Sequence, residues 1–470
     1  MLFNSLLFLL SFSVVFLLYW TLAVRNLRVR NVFLLVCSYL FYASWDPRFL
    51  GLIVLSSVVD YTLGALIPRC RTPLGKRLCL FGSLGMNLGI LALFKYFDFF
   101  AASFASLAGV FGLELSPTTL NLILPVGISF YTFQTLSYTL DIYRGELEPE
   151  RDPVSFFAYV AFFPQLVAGP IERARNLLPQ FRHAQPFDYA TASMGCQRVL
   201  IGLFKKCVLA DNLAVFVDPV FVDMTNQHPL LLLLAAIGFA WQIYFDFSGY
   251  SDMAIGIAGL LGFSLSENFR TPFSAVSITE LWQRWHITLT EWLRDYLFVP
   301  LSISFRHLGR YGLLLNLLIT FGLCGLWHGA AWNFVLFGLM HALILFAEVV
   351  FPALRRIPKL LGWLLTQTLW VLGCILFRCS SVAETLQFVG GFFDVRVPLR
   401  FTYSVDHLVC YLVLFGLAPL FLVLELWQKD RRHVLDIENR RLRIFAFHLL
   451  LLLFVLVGRF TQNEFIYFQF

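Results

Sequence analysis

The chain has 470 residues, of which 59% are hydrophobic, 17% aromatic and only 14% charged, with a formal net charge of +6. A mean hydropathy of +0.75 is too high for one ordinary globular core to hide the apolar surface, which excludes a soluble protein. The apolar runs have helical length and lack the alternation of membrane-spanning strands. The composition therefore predicts an all-α polytopic membrane protein.

Charge and cysteine usage exclude several other classes. The basic residues lie mainly in short loops, where they orient helices in an anionic membrane. The expected partner is therefore membrane lipid, and no binding of nucleic acid is expected. The nine cysteines are scattered without CxxC spacing, which indicates packing residues and no disulfide scaffold. No metal site is expected.

The N-terminal third reads as a series of spanning helices. Residues 2–24 are apolar, lack a preceding basic region and are followed by Arg25, Arg28 and Arg30, which predicts a retained helix with its N-terminus outside. A second basic loop near residue 70 agrees with this orientation. Further apolar segments are predicted at about 31–45, 49–67, 78–94 and 97–113.

The next segments are interrupted by polar or helix-breaking residues. Hydroxyl, aromatic and amide side chains follow Gly127, so this helix is expected to face protein or a cavity, not lipid. The segment 154–169 ends between Pro164 and Pro170, which predicts a re-entrant or interfacial piece instead of a regular spanning helix. Basic residues among apolar positions in 171–206 predict interfacial amphipathic helices.

The apolar run 230–262 contains two carboxylates, Asp246 and Asp252. Both are too polar to face lipid, so the segment must look inward. Such residues also mark acid–base chemistry or a cation path, but a separation of six residues places them on different sides of a helix. Structural hydrogen bonding is therefore the favoured interpretation.

The stretch 279–296 predicts one amphipathic helix, half in the membrane. Glu280 and Arg284 form an i,i+4 pair on its polar face, and His286 lies at the edge between the two faces. Helix geometry alone favours an interfacial histidine bonded to a neighbour over an active-site group. The apolar stripe consists of Trp282, Trp285, Leu289, Trp292 and Tyr296.

The stretch 322–333 places His328 between two apolar segments, 311–327 and 332–350. A histidine at membrane depth is costly unless it faces a partner, a cavity or water. Three glycines here permit close helix packing or a break, while Trp327 and Asn333 offer an aromatic wall and an amide. These features leave a functional site and a packed hairpin whose histidine bonds a carbonyl as equal alternatives.

The position of the hairpin relative to the membrane follows from its length and from the flanking basic loops. From Gly312 to Leu326 the first limb spans ~22 Å, short of a hydrocarbon core of ~30 Å. His328 is therefore expected within the membrane, reached from the outer side by a funnel or tunnel.

The remaining helices are predicted at about 360–378, 405–427 and 443–459. The strongly basic loop 429–443 is assigned to the cytoplasmic side, so the C-terminus is predicted outside, like the N-terminus. The expected architecture is about ten or eleven spanning helices plus shorter re-entrant and interfacial pieces. They form a single domain over residues 1–470 with no apparent internal repeat.

Six motifs follow one another in the chain and cover nearly its whole length. They are Leu124–Tyr131, Leu166–Pro170, Tyr244–Gly256, Trp282–Tyr296, Leu326–Ala330 and Phe465–Phe470. Together they resemble the membrane-bound O-acyltransferase family, within it the branch of alginate O-acetyltransferases and teichoic-acid D-alanylation proteins. The resemblance implies that family's all-α fold, with helices around a central tunnel.

The resemblance also assigns site residues. It implies that His328 is the essential intramembrane histidine and His286 the second active-site position, contrary to helix geometry alone. His341 matches a further histidine of this branch and is expected to have a supporting role. Other residues expected to line the tunnel or support the site are Trp285, Trp327, Asn333 and Asp246.

The resemblance implies an O-acetyltransferase of the bacterial inner membrane with both termini periplasmic. A cytoplasmic donor, acetyl-CoA or another acetyl donor, would supply the acetyl group, and periplasmic acetyltransferase partner proteins would carry it to a secreted exopolysaccharide, with alginate expected. No bound cofactor is expected. His328 would act as general base, and His286 would orient the thioester or stabilise the oxyanion.

Other functions remain open at this point. Within the family, the acceptor could be another glycan such as cellulose, or the reaction could be D-alanyl transfer to teichoic acid. From a different class, a transporter or channel is suggested by Asp246, Asp252 and the broken segments.

Overall fold

The computed structural model describes residues 2–166, 169–428, 433–460 and 465–466. These residues form helices and loops without a β-strand, which confirms the all-α prediction. The α-helices are α1 (Leu6–Thr21), α2 (Leu27–Ala43), α3 (Leu50–Leu66), α4 (Pro73–Leu91), α5 (Phe97–Val110), α6 (Ile128–Arg144), α7 (Pro153–Ala161), α8 (Phe163–Leu166), α9 (Ala174–Leu177), α10 (Tyr189–Leu203), α11 (Asp211–Val222), α12 (Pro229–Leu260), α13 (Ile278–Arg284), α14 (Ile287–Leu293), α15 (Val299–Ser304), α16 (Arg310–His328), α17 (Trp332–Val350), α18 (Lys359–Arg378), α19 (Val382–Gly391), α20 (Val405–Leu412), α21 (Ala418–Trp427) and α22 (Arg440–Val457).

Eight helical segments of the described chain are long and apolar enough to cross a membrane, fewer than the ten or eleven predicted. One reason is that the two predicted spans at 78–94 and 97–113 form a single helical segment, Pro73–Val110, through a π-helical turn at Ala92–Tyr96. Another is that α2 has only 17 residues. The location of the termini outside stays a prediction.

Contacts divide the chain into two compact units. The first contains residues 2–166, 169–195 and 257–266, and the second contains residues 196–256 and the described residues from Glu267 onward. The single domain over the whole chain and the central tunnel stay predictions.

In the first unit, α6 packs against α3 and α4 around the buried carboxylate of Asp60. Ser83 Oγ donates to this carboxylate at 2.5 Å, Asn87 Nδ2 at 2.8 Å and Thr139 Oγ1 at 3.3 Å. A buried polar group is costly unless it is hydrogen-bonded, and these bonds meet that need. The prediction that α6 faces protein and not lipid is confirmed.

The segment predicted to be broken near residue 164 is indeed not a regular spanning helix. The nine residues of α7 rise only ~14 Å, and the chain leaves helical geometry at Phe162 before the four-residue α8. Residues 167 and 168 lie outside the described residues, as do 429–432 of the basic loop, 461–464, and 467–470, the last four residues of the terminal motif. A re-entrant path for this segment stays a prediction.

The prediction that 171–206 is interfacial is wrong for most of the charged residues on which it rested. Glu172, Arg173 and Arg198 are buried, and so are Lys205 and Lys206 in the second unit. Lys206 Nζ lies 2.6 Å from Asp246 and 3.0 Å from Asp211. Apolar residues flank the two lysines on both sides, so this stretch is buried and its charges need buried partners. Asp246 therefore faces inward, as predicted, and is paired.

Asp252 is paired in the same way. Arg198 Nε lies 2.6 Å and Lys205 Nζ 3.1 Å from its carboxylate, and Lys205 also contacts Glu425 at 2.7 Å. Arg198 in turn bonds Glu267. Both aspartates are thus held by ion pairs, where the sequence analysis favoured simple hydrogen bonds. The contacts agree with the structural role that was favoured.

The predicted hairpin is present as α16 and α17, which pack closely against each other. A Cβ atom on Gly325 would overlap the carbonyl oxygen of Phe334, and one on Gly338 that of Phe321. The first limb has 19 residues, about 28 Å, because the helix already begins at Arg310. It therefore nearly matches a hydrocarbon core of ~30 Å. The argument that a short first limb places His328 within the membrane thus no longer applies.

Gly325→Ala should destabilise the hairpin because the added methyl group meets backbone, which cannot rotate away. We expect the free energy of unfolding in detergent to fall by about 1–3 kcal/mol. Gly322→Ala is the matched control, since its Cβ would lie 3.5 Å from a Leu339 methyl carbon, an ordinary contact. Equal stability of the two variants would contradict the close helix approach.

Lys206→Met should destabilise the second unit because it leaves Asp246 and Asp211 buried beside an uncharged side chain. Breaking a buried ion pair typically costs about 3–5 kcal/mol, so thermal unfolding should shift clearly downward. Arg396→Gln is the control, because Arg396 pairs with Asp394 at an exposed site, where such pairs contribute little. A shift no larger than that of the control would show that Lys206 is not buried in an ion pair.

Candidate active site

His328 is the last residue of α16 and is buried, with 4% of its surface exposed. Its imidazole packs edge-on against two phenylalanines, with ring centroids 5.3 Å from Phe377 and 6.3 Å from Phe337. The following Gly329 is extended, and a Cβ there would overlap the ring of Phe334. The glycine thus lets the chain turn from α16 to α17 directly beside the histidine.

The single amphipathic helix predicted over 279–296 is wrong, because the structure breaks it into α13 and α14 with Trp285 and His286 between them. His286 has φ +42°, a left-handed conformation that non-glycine residues adopt rarely. A neighbouring loop forms hydrogen bonds with the backbone groups that the break leaves without helical partners. The Ile287 N–H donates to the Asn268 carbonyl at 2.9 Å, and the Arg270 N–H donates to the Arg284 carbonyl at 2.9 Å.

The break turns the His286 side chain inward. It is fully buried and not interfacial, so the expectation from helix geometry is wrong. Its Nδ1 lies 3.0 Å from Asn268 Oδ1, and the Phe247 ring stands edge-on at 4.7 Å. The Glu280–Arg284 pair predicted from the sequence is present, at 2.8 Å.

The two histidines share one aromatic neighbour. The Trp327 ring centroid lies 5.0 Å from that of His328 and 5.9 Å from that of His286. The structure thus brings together the two residues that the resemblance assigned to the site, and Trp327, which was expected to support the site, contacts both.

Trp285 and His341 lie in the aromatic surroundings of this pair. Trp285 packs on Trp370 at 4.5 Å between centroids. His341 is fully buried, its Nδ1 lies 2.8 Å from the Phe337 carbonyl, and its ring lies 4.5 Å from that of Phe337, which also contacts His328. A supporting role fits these positions and stays a prediction.

Asn333 and Asp246 are placed by structural contacts. The Asn333 amide donates to the carbonyls of Leu376 at 3.1 Å and Cys379 at 2.5 Å, which binds the start of α17 to the end of α18. Helix C-termini leave carbonyls without intrahelical partners, and Asn333 supplies the donors. Asp246 is engaged by Lys206. Roles of both residues in chemistry stay predictions.

A polar cavity of about 340 Å³ was not foreseen from the sequence. It lies in the second unit and reaches Asn268, one hydrogen bond from His286. Burial, reinforced by Arg198, lowers the pKa of the lining His433 to about 4, so this imidazole is neutral near pH 7. The charged groups that line the cavity include Arg198, Lys205, Asp252, Glu267, Arg270 and Glu425.

The sequence contained a signal for some residues of this region and not for others. Lys205 and Lys206 stand between apolar residues, and such a charged pair in an apolar run predicts buried partners. Asn268 lies in an irregular loop where no periodicity assigns a face, so the sequence carried no comparable signal for it.

Comparisons with known proteins show the family to which the chain belongs. The model of the membrane-bound O-acyltransferase family matches residues 150–383, a range that contains His286, His328 and His341. "Probable alginate O-acetylase AlgI" of Pseudomonas putida is 39% identical over 400 residues, 84% of this chain and 80% of that protein.

Two further relatives are named for acceptors other than alginate, and one of them is named for a different acyl group. The "Peptidoglycan O-acetyltransferase" of Helicobacter pylori is 35% identical over 426 residues, 83% of this chain and 79% of that protein. The "Teichoic acid D-alanyltransferase" of Bacillus subtilis is 26% identical over 324 residues, 63% of this chain and 78% of that protein. The chain therefore belongs to the membrane-bound O-acyltransferase family and is an O-acyltransferase.

Proposed function

We propose that the chain transfers an acetyl group from a cytoplasmic donor, such as acetyl-CoA, for O-acetylation of a secreted polysaccharide, with alginate as the polymer. The observation that carries the proposal is the pair of buried imidazoles, His286 and His328, which both lie next to the ring of Trp327. Delivery through periplasmic partner proteins and residence in the bacterial inner membrane belong to the same proposal.

In this proposal His328 acts as general base. The oxygen of an acceptor hydroxyl forms a bond to the thioester carbonyl carbon while its proton passes to the His328 imidazole. The carbon–sulfur bond then breaks, and the leaving thiolate takes up that proton. General base catalysis of this kind typically contributes ~10²–10⁴-fold to the rate. A covalent acyl-histidine is the alternative route within the same site.

The names of the relatives support an acetyl group over D-alanine. Two relatives of 39% and 35% identity are named as O-acetyl-transferring proteins, whereas the D-alanyltransferase is 26% identical and aligns with a smaller share of this chain. The names of the relatives distinguish less clearly between the two candidate polymers, because the alginate and peptidoglycan relatives align with almost the same share of this chain. Peptidoglycan is therefore the second candidate acceptor.

The transporter alternative loses its motivation. Asp246 and Asp252, which suggested an ion path, are each paired with buried cationic side chains. Membership of an O-acyltransferase family favours acyl transfer over transport.

His328→Ala should reduce the acetyl ester content of the secreted polysaccharide by at least ~10²-fold because the general base is lost. His286→Ala should also reduce it. The measurement compares cells with matched amounts of each variant in the membrane. His307→Ala is the control, since His307 is exposed and its Nδ1 lies near the Ser304 carbonyl. Undiminished acetylation in His328→Ala would contradict the catalytic assignment.

Membrane vesicles supplied with acetyl-CoA labelled in the acetyl group should yield labelled O-acetyl esters on alginate. Vesicles with the His328→Ala variant are the negative control. Label on peptidoglycan alone would contradict alginate as the acceptor and favour the second candidate. Label transfer equal to that of His328→Ala would contradict acetyl-CoA as the donor.

A further inference from the structure

We infer that Asn268 is a positioning residue that holds neutral His286 in the tautomer with hydrogen on Nδ1 and the lone pair on Nε2. The inference rests on the proposed function for its catalytic meaning, whereas the tautomer itself follows from the hydrogen bonds around Asn268. A neutral imidazole has one donor and one acceptor nitrogen, and the hydrogen bond made by one nitrogen fixes the role of the other.

The orientation of the Asn268 amide is determined by a backbone donor. Both the N–H and the hydroxyl of Thr288 approach Asn268 Oδ1, at 3.4 and 2.9 Å. A backbone N–H can only donate, so the atom that faces it must be the oxygen. On its other side, Asn268 Nδ2 donates to Ser251 Oγ at 3.1 Å. A flipped amide would set its NH₂ group against the Thr288 N–H and is excluded.

The nitrogen of His286 that faces this oxygen must therefore donate. Nδ1 lies 3.0 Å from Asn268 Oδ1, which has no hydrogen to give. Asn268 is itself 0% exposed, so an imidazole lone pair against its oxygen would leave two acceptors facing each other in a buried place. The tautomer with hydrogen on Nδ1 avoids that cost.

Backbone contacts make the arrangement rigid. The carbonyl of Asn268 accepts the N–H of Ile287, next to the left-handed His286, so the same residue holds both the main chain and the side chain of the histidine. The Phe247 ring, edge-on at 4.7 Å, and the Trp327 ring at 5.9 Å enclose the imidazole. A half-turn of the ring about its Cβ–Cγ bond would put Cδ2 in the place of Nδ1 and break the bond to Asn268.

The tautomer narrows the role of His286 in acyl transfer. Neutral His286 offers a lone pair at Nε2, which suits acceptance of a proton or of a hydrogen bond from the acyl donor. It does not offer an N–H at Nε2 to a developing oxyanion. Of the two roles expected from the resemblance, orientation of the thioester donor is therefore favoured over oxyanion stabilisation.

The direct test is ¹⁵N NMR of protein labelled at its nine histidines, because the two tautomers have distinct ring ¹⁵N shifts. The His286 signals are assigned as those missing from a His286→Ala sample. We expect a protonated Nδ1 and an unprotonated Nε2 in the unmodified chain at neutral pH. A protonated Nε2 with an unprotonated Nδ1 would overturn the inference, even if His328→Ala abolishes acetylation.

Variants of Asn268 separate positioning from simple structural support. Asn268→Leu removes the acceptor, so the His286 signals should move toward the other tautomer and acetyl transfer should fall at least about tenfold. Asn268→Asp keeps an acceptor and should keep hydrogen on Nδ1. Ser251→Ala is the matched control, since it removes only the bond on the far side of the amide.

The outcomes of the variants are decisive in both directions. Unchanged His286 signals in folded Asn268→Leu would overturn the role of Asn268. If that variant does not fold, the spectrum of the unmodified chain still decides the tautomer, and Thr288→Val, which removes one donor to the same oxygen, serves as the second variant. In Thr288→Val, Nδ1 should remain protonated, and loss of that proton would contradict the assignment.

Discussion

The ion pair between Lys206 and Asp246 fixes α12 against the π-helical segment that follows α10. This contact lies in an apolar interior, where a charge without a partner would be prohibitively costly. A second pair, between Lys205 and Asp252, lies less than two helical turns further along α12. Gly202 and Gly249 permit the close approach of the two segments, because a Cβ on either would overlap the carbonyl oxygen of the other.

The candidate site depends on this placement of α12. Between the two paired aspartates, α12 presents Phe247 to the ring of His286 and Ser251 to the amide of Asn268. The ion pairs therefore set the position of groups that surround a histidine without touching it themselves. A carboxylate such as Asp246 can thus matter for activity through the helix that carries it, with no part in the chemistry.

Much of the fold could be predicted from the sequence because helix length and hydrophobicity are local properties. The hairpin of α16 and α17, the inward-facing α6 and the inward-facing Asp246 all followed from such local signals. The helix break at His286 could not be predicted in this way. The stripe from Trp282 to Tyr296 continues across it with regular spacing. The break depends on a hydrogen bond accepted by the Asn268 carbonyl and one donated by the Arg270 N–H, and both residues lie in a loop without periodicity. The burial of Lys205 and Lys206 likewise depends on distant carboxylates, because Asp246, Asp252 and Glu425 lie at least 40 residues further along the chain. Only Asp211, the second partner of Lys206, is close in sequence.

The fold holds the two histidines in different ways. His328 is the last residue of the 19-residue α16, directly before the turn at Gly329, and its ring packs against those of Trp327 and Phe377. His286 lies at the break between α13 and α14, where the amide oxygen of Asn268 faces its Nδ1 and the Phe247 ring stands edge-on to it. In the proposed reaction, His328 gains the proton during acyl transfer, while His286 keeps its hydrogen on Nδ1 and accepts a hydrogen bond at Nε2.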